Sequence, residues 1–116
     1  MTALSRDDLQ QVAIHPGDGV LVRTGWGRHC PDASRYVSPK TGVPGPDGAA
    51  CRWLADQQVF LVGADTPKFE YLAPHDPHLA GHLTLIVERG IYILENMNLE
   101  SLAEARVYEF LFVYLP

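Results

Sequence analysis

Three short apolar runs constrain the fold of this chain more than any other feature: Val20 to Arg23, Val59 to Val62 and Ile91 to Leu94. The first follows a Gly17-Asp18-Gly19 turn and opens into Thr24-Gly25-Trp26-Gly27, and the second is unbroken and ended by Gly63. Runs of this length without polar alternation suit strands covered on both faces, as in a parallel α/β sheet. Helical patterns lie between them. Ala50, Trp53 and Leu54 recur at helical spacing from Gly48 to Asp56, with Asp47 placed as the N-cap. Leu79 to Arg89 reads as a second helix with Gly90 as its C′ residue. Strands alternating with helices predict an α/β layer structure.

The flanking segments are simpler. Ser5, three residues before Asp8 and ahead of Leu9, Val12 and Ala13, predicts a capped helix closed by His15-Pro16-Gly17-Asp18. Residues 27–48, rich in Gly and Pro, and residues 71–78, with Pro74 and Pro77, read as loops, the first long enough to be functional or to contact a neighbour. Ser101 to Arg106 predicts a turn or two of helix, and Val107 to Leu115 is the longest strand candidate, rich in Tyr, Phe and Val. Phe110, Phe112 and Tyr114 alternate there as on a strand lacking its neighbour, so an apolar edge and a homo-oligomer are expected. Pro116 follows with no polar tail, from which a truncation is expected.

A length of 116 residues with 47% hydrophobic content suits one domain, residues 1–116. The net charge of −5 and the scattered basic residues exclude the footprint of a nucleic-acid or anionic-membrane binder and favour a small-molecule or protein partner. No apolar run approaches the ~20 residues that span a bilayer, and the start has no basic end leading into an apolar stretch. A soluble, cytoplasmic chain is expected, with Cys30 and Cys51 as free thiols because they lack CxxC-type spacing. The chain has no GxSxG elbow, P-loop or GxGxxG, which removes the main support for serine-hydrolase, nucleotide-hydrolase and dinucleotide readings.

Among possible reactive groups, His75, His78 and His82 with Asp76 offer zinc-ligand types. The proline-flanked loop around the first two, and the lack of a second cluster at standard spacing, argue against a local zinc site. His15 and His29 read as solvated loop residues. Glu95 is different, because a carboxylate ending Ile91-Tyr92-Ile93-Leu94 is out of pattern unless it is paired, hydrogen-bonded or on a metal. Spacing leaves two possibilities open: a site shared with His82, or a strand-end carboxylate bound to backbone donors. Asp65, just past Gly63, holds the analogous mouth position and is expected to cap the turn into Thr66-Pro67.

Gly17-Asp18-Gly19-Val-Leu-Val-Arg-Thr24-Gly25-Trp26, Gly42-Val-Pro-Gly45, and Trp53-Leu54-Ala55 through Asp65-Thr66 occur in an order that resembles the bacterial cyclase family of kynurenine formamidases and isatin hydrolases. The strongest segment is His82-Leu-Thr-Leu-Ile-Val-Glu-Arg-Gly90-Ile-Tyr-Ile-Leu-Glu95-Asn96, followed by Leu99 to Leu102 and Val107 to Phe112. The resemblance implies an incomplete swivelling β/β/α fold, a mixed sheet covered by helices forming one partial cyclase-like domain. It also implies hydrolysis of an amide by a divalent metal, zinc or manganese, with arylformamidase, converting N-formylkynurenine to kynurenine in tryptophan catabolism, as the best single expectation. His82 and Glu95 match the family's downstream metal residues; no catalytic acid or base is assigned. The family's other ligands lie in an HxGTHxDxPxH segment that is not found here, and its Gly-rich loop and further strand beyond the last strand are not reached. The chain alone is therefore expected to bind metal weakly or not at all and to lack turnover. A non-catalytic fragment or subunit completed by a partner chain, and a metal-free small-molecule-binding module, stand as alternatives.

Overall fold

The computed structural model describes residues 3–38 and 40–115; Pro116, on which the expected truncation rested, lies outside the described residues. Its centre is a three-stranded parallel sheet in the order β2 (Gly19–Val22), β4 (Leu61–Ala64), β5 (Tyr92–Leu94). A smaller parallel pair joins β1 (Ala3–Leu4) to β3 (Gly45–Pro46), and Val43 makes an isolated antiparallel bridge to Leu72. The three apolar runs therefore do form the sheet, although β4 begins two residues later than its pattern suggests, at Leu61, with Gly63 inside the strand. The local reason is close packing: a Cβ on Gly63 would stand 2.7 Å from Met97 Sδ and 2.9 Å from Leu21 Cδ2.

Helix α1 (Arg6–Leu9) is capped by Ser5 as expected, and Asp8 returns the bond to complete a capping box, but the helix ends well before His15. Helix α3 (Gly48–Asp56) starts where Asp47 accepts the Ala50 N–H at 2.7 Å. It buries Ala50, Cys51, Leu54 and Ala55. Cys51, Leu54 and Ala55 join Val62, Phe69 and Leu85 in the core cluster, in which full burial of a side chain such as Leu54 contributes roughly 2 kcal/mol. Helix α4 (Ala80–His82) widens at once into a π-helical stretch, Leu83–Glu88. It closes on Gly90, whose φ of +66° suits a residue without Cβ, through bonds from the Gly90 N–H to Ile86 O and from the Ile91 N–H to Leu85 O. No helix among the described residues is long and apolar enough to cross a membrane.

Two expectations are corrected. Residues 27–48 are not irregular throughout: a 3-10 turn (Trp26–His29) and α2 (Ala33–Tyr36) organise them, and the Trp26 indole N–H donates to Tyr36 O at 3.0 Å. Val107 to Leu115 has strand composition but pairs with no described strand, and Tyr108 and Leu111 are 83% and 92% exposed. Propensity supplies only a preference; a strand needs a neighbour's N–H and C=O groups to become one. After α5 (Glu100–Glu104) this arm touches the sheet where Tyr114 meets Tyr92, with ring centroids 5.8 Å apart.

Two outcomes follow from the packing. Cys30 is exposed, whereas burial pushes the Cys51 thiol up to about 12. At pH 8 only about one Cys51 in ten thousand is the reactive thiolate. A maleimide should therefore label one thiol, Cys30, in the native chain and both after unfolding; rapid native labelling at Cys51 would mean that α3 is not packed as described. Asp65 is 1% exposed and accepts from the Thr24 N–H at 2.8 Å, the Thr24 hydroxyl at 2.7 Å and the Gly25 N–H at 2.8 Å. Asp65→Ala orphans these donors and should lower stability by roughly 3 kcal/mol in denaturant unfolding.

Candidate metal centre

The carboxyl ends of β2, β4 and β5 form one edge, where open α/β sheets commonly place ligands. Asp65, expected to cap the turn into Thr66-Pro67, instead reaches across to the turn after β2. That turn presents two backbone N–H groups and a hydroxyl, a better match for a buried carboxylate than the proline-containing turn beside it. Tyr36 adds a second cross-tie, its hydroxyl lying 3.1 Å from Asp65 O and 3.0 Å from Asn96 Oδ1. Burial pushes the Tyr36 phenol above its ordinary pKa, which keeps it a donor. Beside these groups is an open cavity of about 330 Å³ lined by Arg28, Cys30, Tyr36, Asp65, Asn96 and Asn98, among others.

One residue beyond β5, Glu95 turns toward the start of α4. Its Oε1 accepts the Phe69 N–H at 3.1 Å and stands 3.2 Å from His82 Nε2, while Lys68 Nζ is 4.0 Å from Oε2. Glu95 thus accepts from a backbone donor and stands beside His82 as well. The other ring nitrogen of His82, Nδ1, lies 2.9 and 2.8 Å from the two oxygens of Glu70. Glu70, His82 and Glu95 form a group of three whose potential ligand atoms lie within 4.8 Å of one another.

The remaining histidines stay apart from this group. His78 pairs with Asp76 at 2.6 Å on the surface; the His78 backbone N–H, at 2.9 Å, and then its ring hold the Asp76 carboxyl below its usual range, and His75 is exposed. His15 approaches Asp18 at 3.5 Å, and His29 packs edge-on against Trp26 rather than standing free in solvent. Glu70 is the residue that sequence reasoning missed. Its signal was present: a carboxylate between Phe69 and Tyr71 is as much out of pattern as Glu95 after Leu94.

The donor set fits a divalent cation. A neutral imidazole has one N–H to give, yet both nitrogens of His82 face carboxylates, so one contact calls for a cation, a proton or a metal ion, between ring and oxygen. Two atoms each ~2.1 Å from one tetrahedral zinc stand about 3.4 Å apart. The 3.2 Å between His82 Nε2 and Glu95 Oε1 is close to that separation.

A family model described as "Putative cyclase" matches residues 2–71. The chain is similar to a solved structure of a novel cyclase, with 28% identity and a TM-score of 0.70 over 90% of this chain and 36% of that one. It is also similar to isatin hydrolase A from Ralstonia solanacearum, with 27% identity and a TM-score of 0.69 over 85% of this chain and 42% of that one. A structure described as a potential metal-dependent hydrolase with cyclase activity shares the fold at 24% identity and a TM-score of 0.58, over 81% of this chain and 41% of the other. The chain thus spans about two fifths of the length of these structures. No curated protein matches it.

Proposed function

This chain belongs to the cyclase family, and from that premise we propose that it forms part of a metal-dependent hydrolase acting on the carbon–nitrogen bond of an N-aryl amide. The observation that carries the reading is the approach of His82 Nε2 to Glu95 Oε1, two atoms of metal-ligating types held 3.2 Å apart beside the carboxyl end of the sheet. Arylformamidase, with N-formylkynurenine as substrate, is the finer form of the proposal. Isatin, named for a similar structure, is also an amide of an aromatic amine, so the two substrates share the bond to be cleaved.

In this proposal His82 and Glu95 hold a zinc or manganese ion. Such an ion, when bound, polarises a carbonyl and lowers the pKa of water. The chain's own contribution is placement. The Phe69 N–H fixes one oxygen of Glu95, Lys68 offsets its charge, and the helix start at Ala80 brings the His82 ring to it. A catalytic zinc typically takes three protein ligands and keeps an open position. The proposal therefore assigns turnover to an assembly in which a segment of the HxGTHxDxPxH type joins His82 and Glu95. The same reading includes self-association through the exposed arm carrying Tyr108, Leu111, Val113 and Leu115.

Two experiments test it. The 116-residue chain should bind zinc or manganese weakly and show no amide hydrolysis, and supplying the HxGTHxDxPxH segment should create tight binding and turnover together. In that assembly Glu95→Ala should lose metal and activity in parallel, while Glu88→Ala, on the exposed side of the π-helical stretch, should change neither. Metal binding indifferent to Glu95→Ala would sink the assignment. Light scattering should show concentration-dependent association of the chain; a monomer over a wide concentration range would remove the oligomer.

A further inference from the structure

We infer that Glu70 is not a ligand of the proposed ion but the positioning residue that accepts a hydrogen bond from the Nδ1–H of His82 and so turns Nε2 toward Glu95. The inference rests on the metal reading and deepens it. Geometry separates the two carboxylates. The lone-pair directions of Nδ1 and Nε2 diverge from the ring, so one ion cannot sit on both; Glu70 stands on the Nδ1 side and Glu95 on the Nε2 side. Glu70 is also fully engaged. Both oxygens face Nδ1, and Oε1 in addition accepts the His82 backbone N–H at 3.0 Å.

That backbone bond has a meaning of its own. The first N–H groups of a helix have no partner within it, and Leu79, at the N-cap of α4, supplies no side-chain bond. Glu70 fills the vacancy from a distant segment. One carboxylate thus fixes both the backbone and the ring of His82, which leaves the imidazole little freedom of rotation. Exposure agrees: the side chain of Glu70 is 3% exposed, against 22% for His82 and 20% for Glu95, so the open side of the cluster is the side of Nε2.

The fold spends close contacts on holding Glu70 there. Its backbone passes so near Gly45 that a Cβ at that position would fall 2.5 Å from Phe69 O and 2.6 Å from Glu70 C. Its side chain lies against Gly81, where a Cβ would come within 2.7 Å of Glu70 Cβ. The Tyr71 N–H to Pro46 O bond at 2.8 Å and the buried Phe69 ring anchor the segment on either side. Metal-bound histidines commonly donate their second ring N–H to a carboxylate, and removing that partner typically costs 10–100-fold in metal affinity.

The test uses the 116-residue chain. Long-range ¹H–¹⁵N NMR of the metal-free protein, at a pH where the His82 ring is neutral, should show the proton on Nδ1; a proton on Nε2 overturns the inference without any variant. Glu70→Gln should weaken zinc binding roughly 10–100-fold and release the fixed tautomer, while the Co²⁺ absorption spectrum at saturation keeps its form. A Co²⁺ spectrum altered as it is by Glu95→Ala would make Glu70 a ligand and refute the positioning role. Should Glu70→Gln fail to fold, Gly81→Ala displaces the carboxylate with every proposed ligand retained and should weaken zinc binding in the same way; unchanged affinity refutes the role. If the wild-type chain binds neither zinc nor Co²⁺ at millimolar concentration, the same affinity and spectral comparisons are made with the HxGTHxDxPxH segment supplied, and no binding there overturns the metal reading. The tautomer measurement then still decides whether Glu70 orients His82.

Discussion

A carboxylate buried to 1% exposure must find donors wherever the chain can supply them, and Asp65 finds them on the turn after β2. This requirement organises the ligand-facing edge of the sheet. Because Thr24 and Gly25 must point their N–H groups at Asp65, the chain leaving β2 folds back over the end of β4 rather than outward. The Tyr36 hydroxyl then joins the Asp65 carbonyl to Asn96, and Arg23 grips Glu100 through two bonds of 3.1 and 2.7 Å. The ends of all three strands are thereby held in one polar layer above an apolar core, and Glu95 emerges from that layer.

What the sequence disclosed and what it hid divide along the range of the interactions. Ser5, Asp47 and Gly90 act on groups within a few residues, and each does what its local pattern implies. The sheet strands were legible as apolar runs, but their limits were not, since the ends of β4 depend on what β2 and β5 place beside it. Two failures have the same origin. Val107 to Leu115 has every local mark of a strand and no partner among the described residues, and the donors that Asp65 accepts from lie 40 and 41 residues away.

The candidate site shows the same division. Glu95 could be singled out because a carboxylate ends an apolar strand, and His82 because a family resemblance carries it. Glu70 stands beside them only in three dimensions. It lies in a segment without regular structure, laid against Val43 to Pro46 by the Val43–Leu72 bridge and the Tyr71 N–H. A linear pattern offers no period for such a segment, and the one available cue was the cost of placing a charge between Phe69 and Tyr71.

The π-helical stretch after His82 fits the demands on that residue from both sides. The His82 backbone is held by Glu70 at the start of α4, while Leu85, three residues on, is completely buried in the core beside α3. Helical stretches with an extra residue per turn occur often at functional sites. Here Leu83–Glu88 adopts that geometry directly after the ring at the site and carries the core contact of Leu85 within it, and the Ile91 N–H to Leu85 O bond of 2.8 Å then returns the chain to the sheet as β5. Glu95 lies thirteen positions after His82 in the sequence, and the widened turn is part of how that stretch leaves the site, crosses the core and comes back to within 3.2 Å of its start.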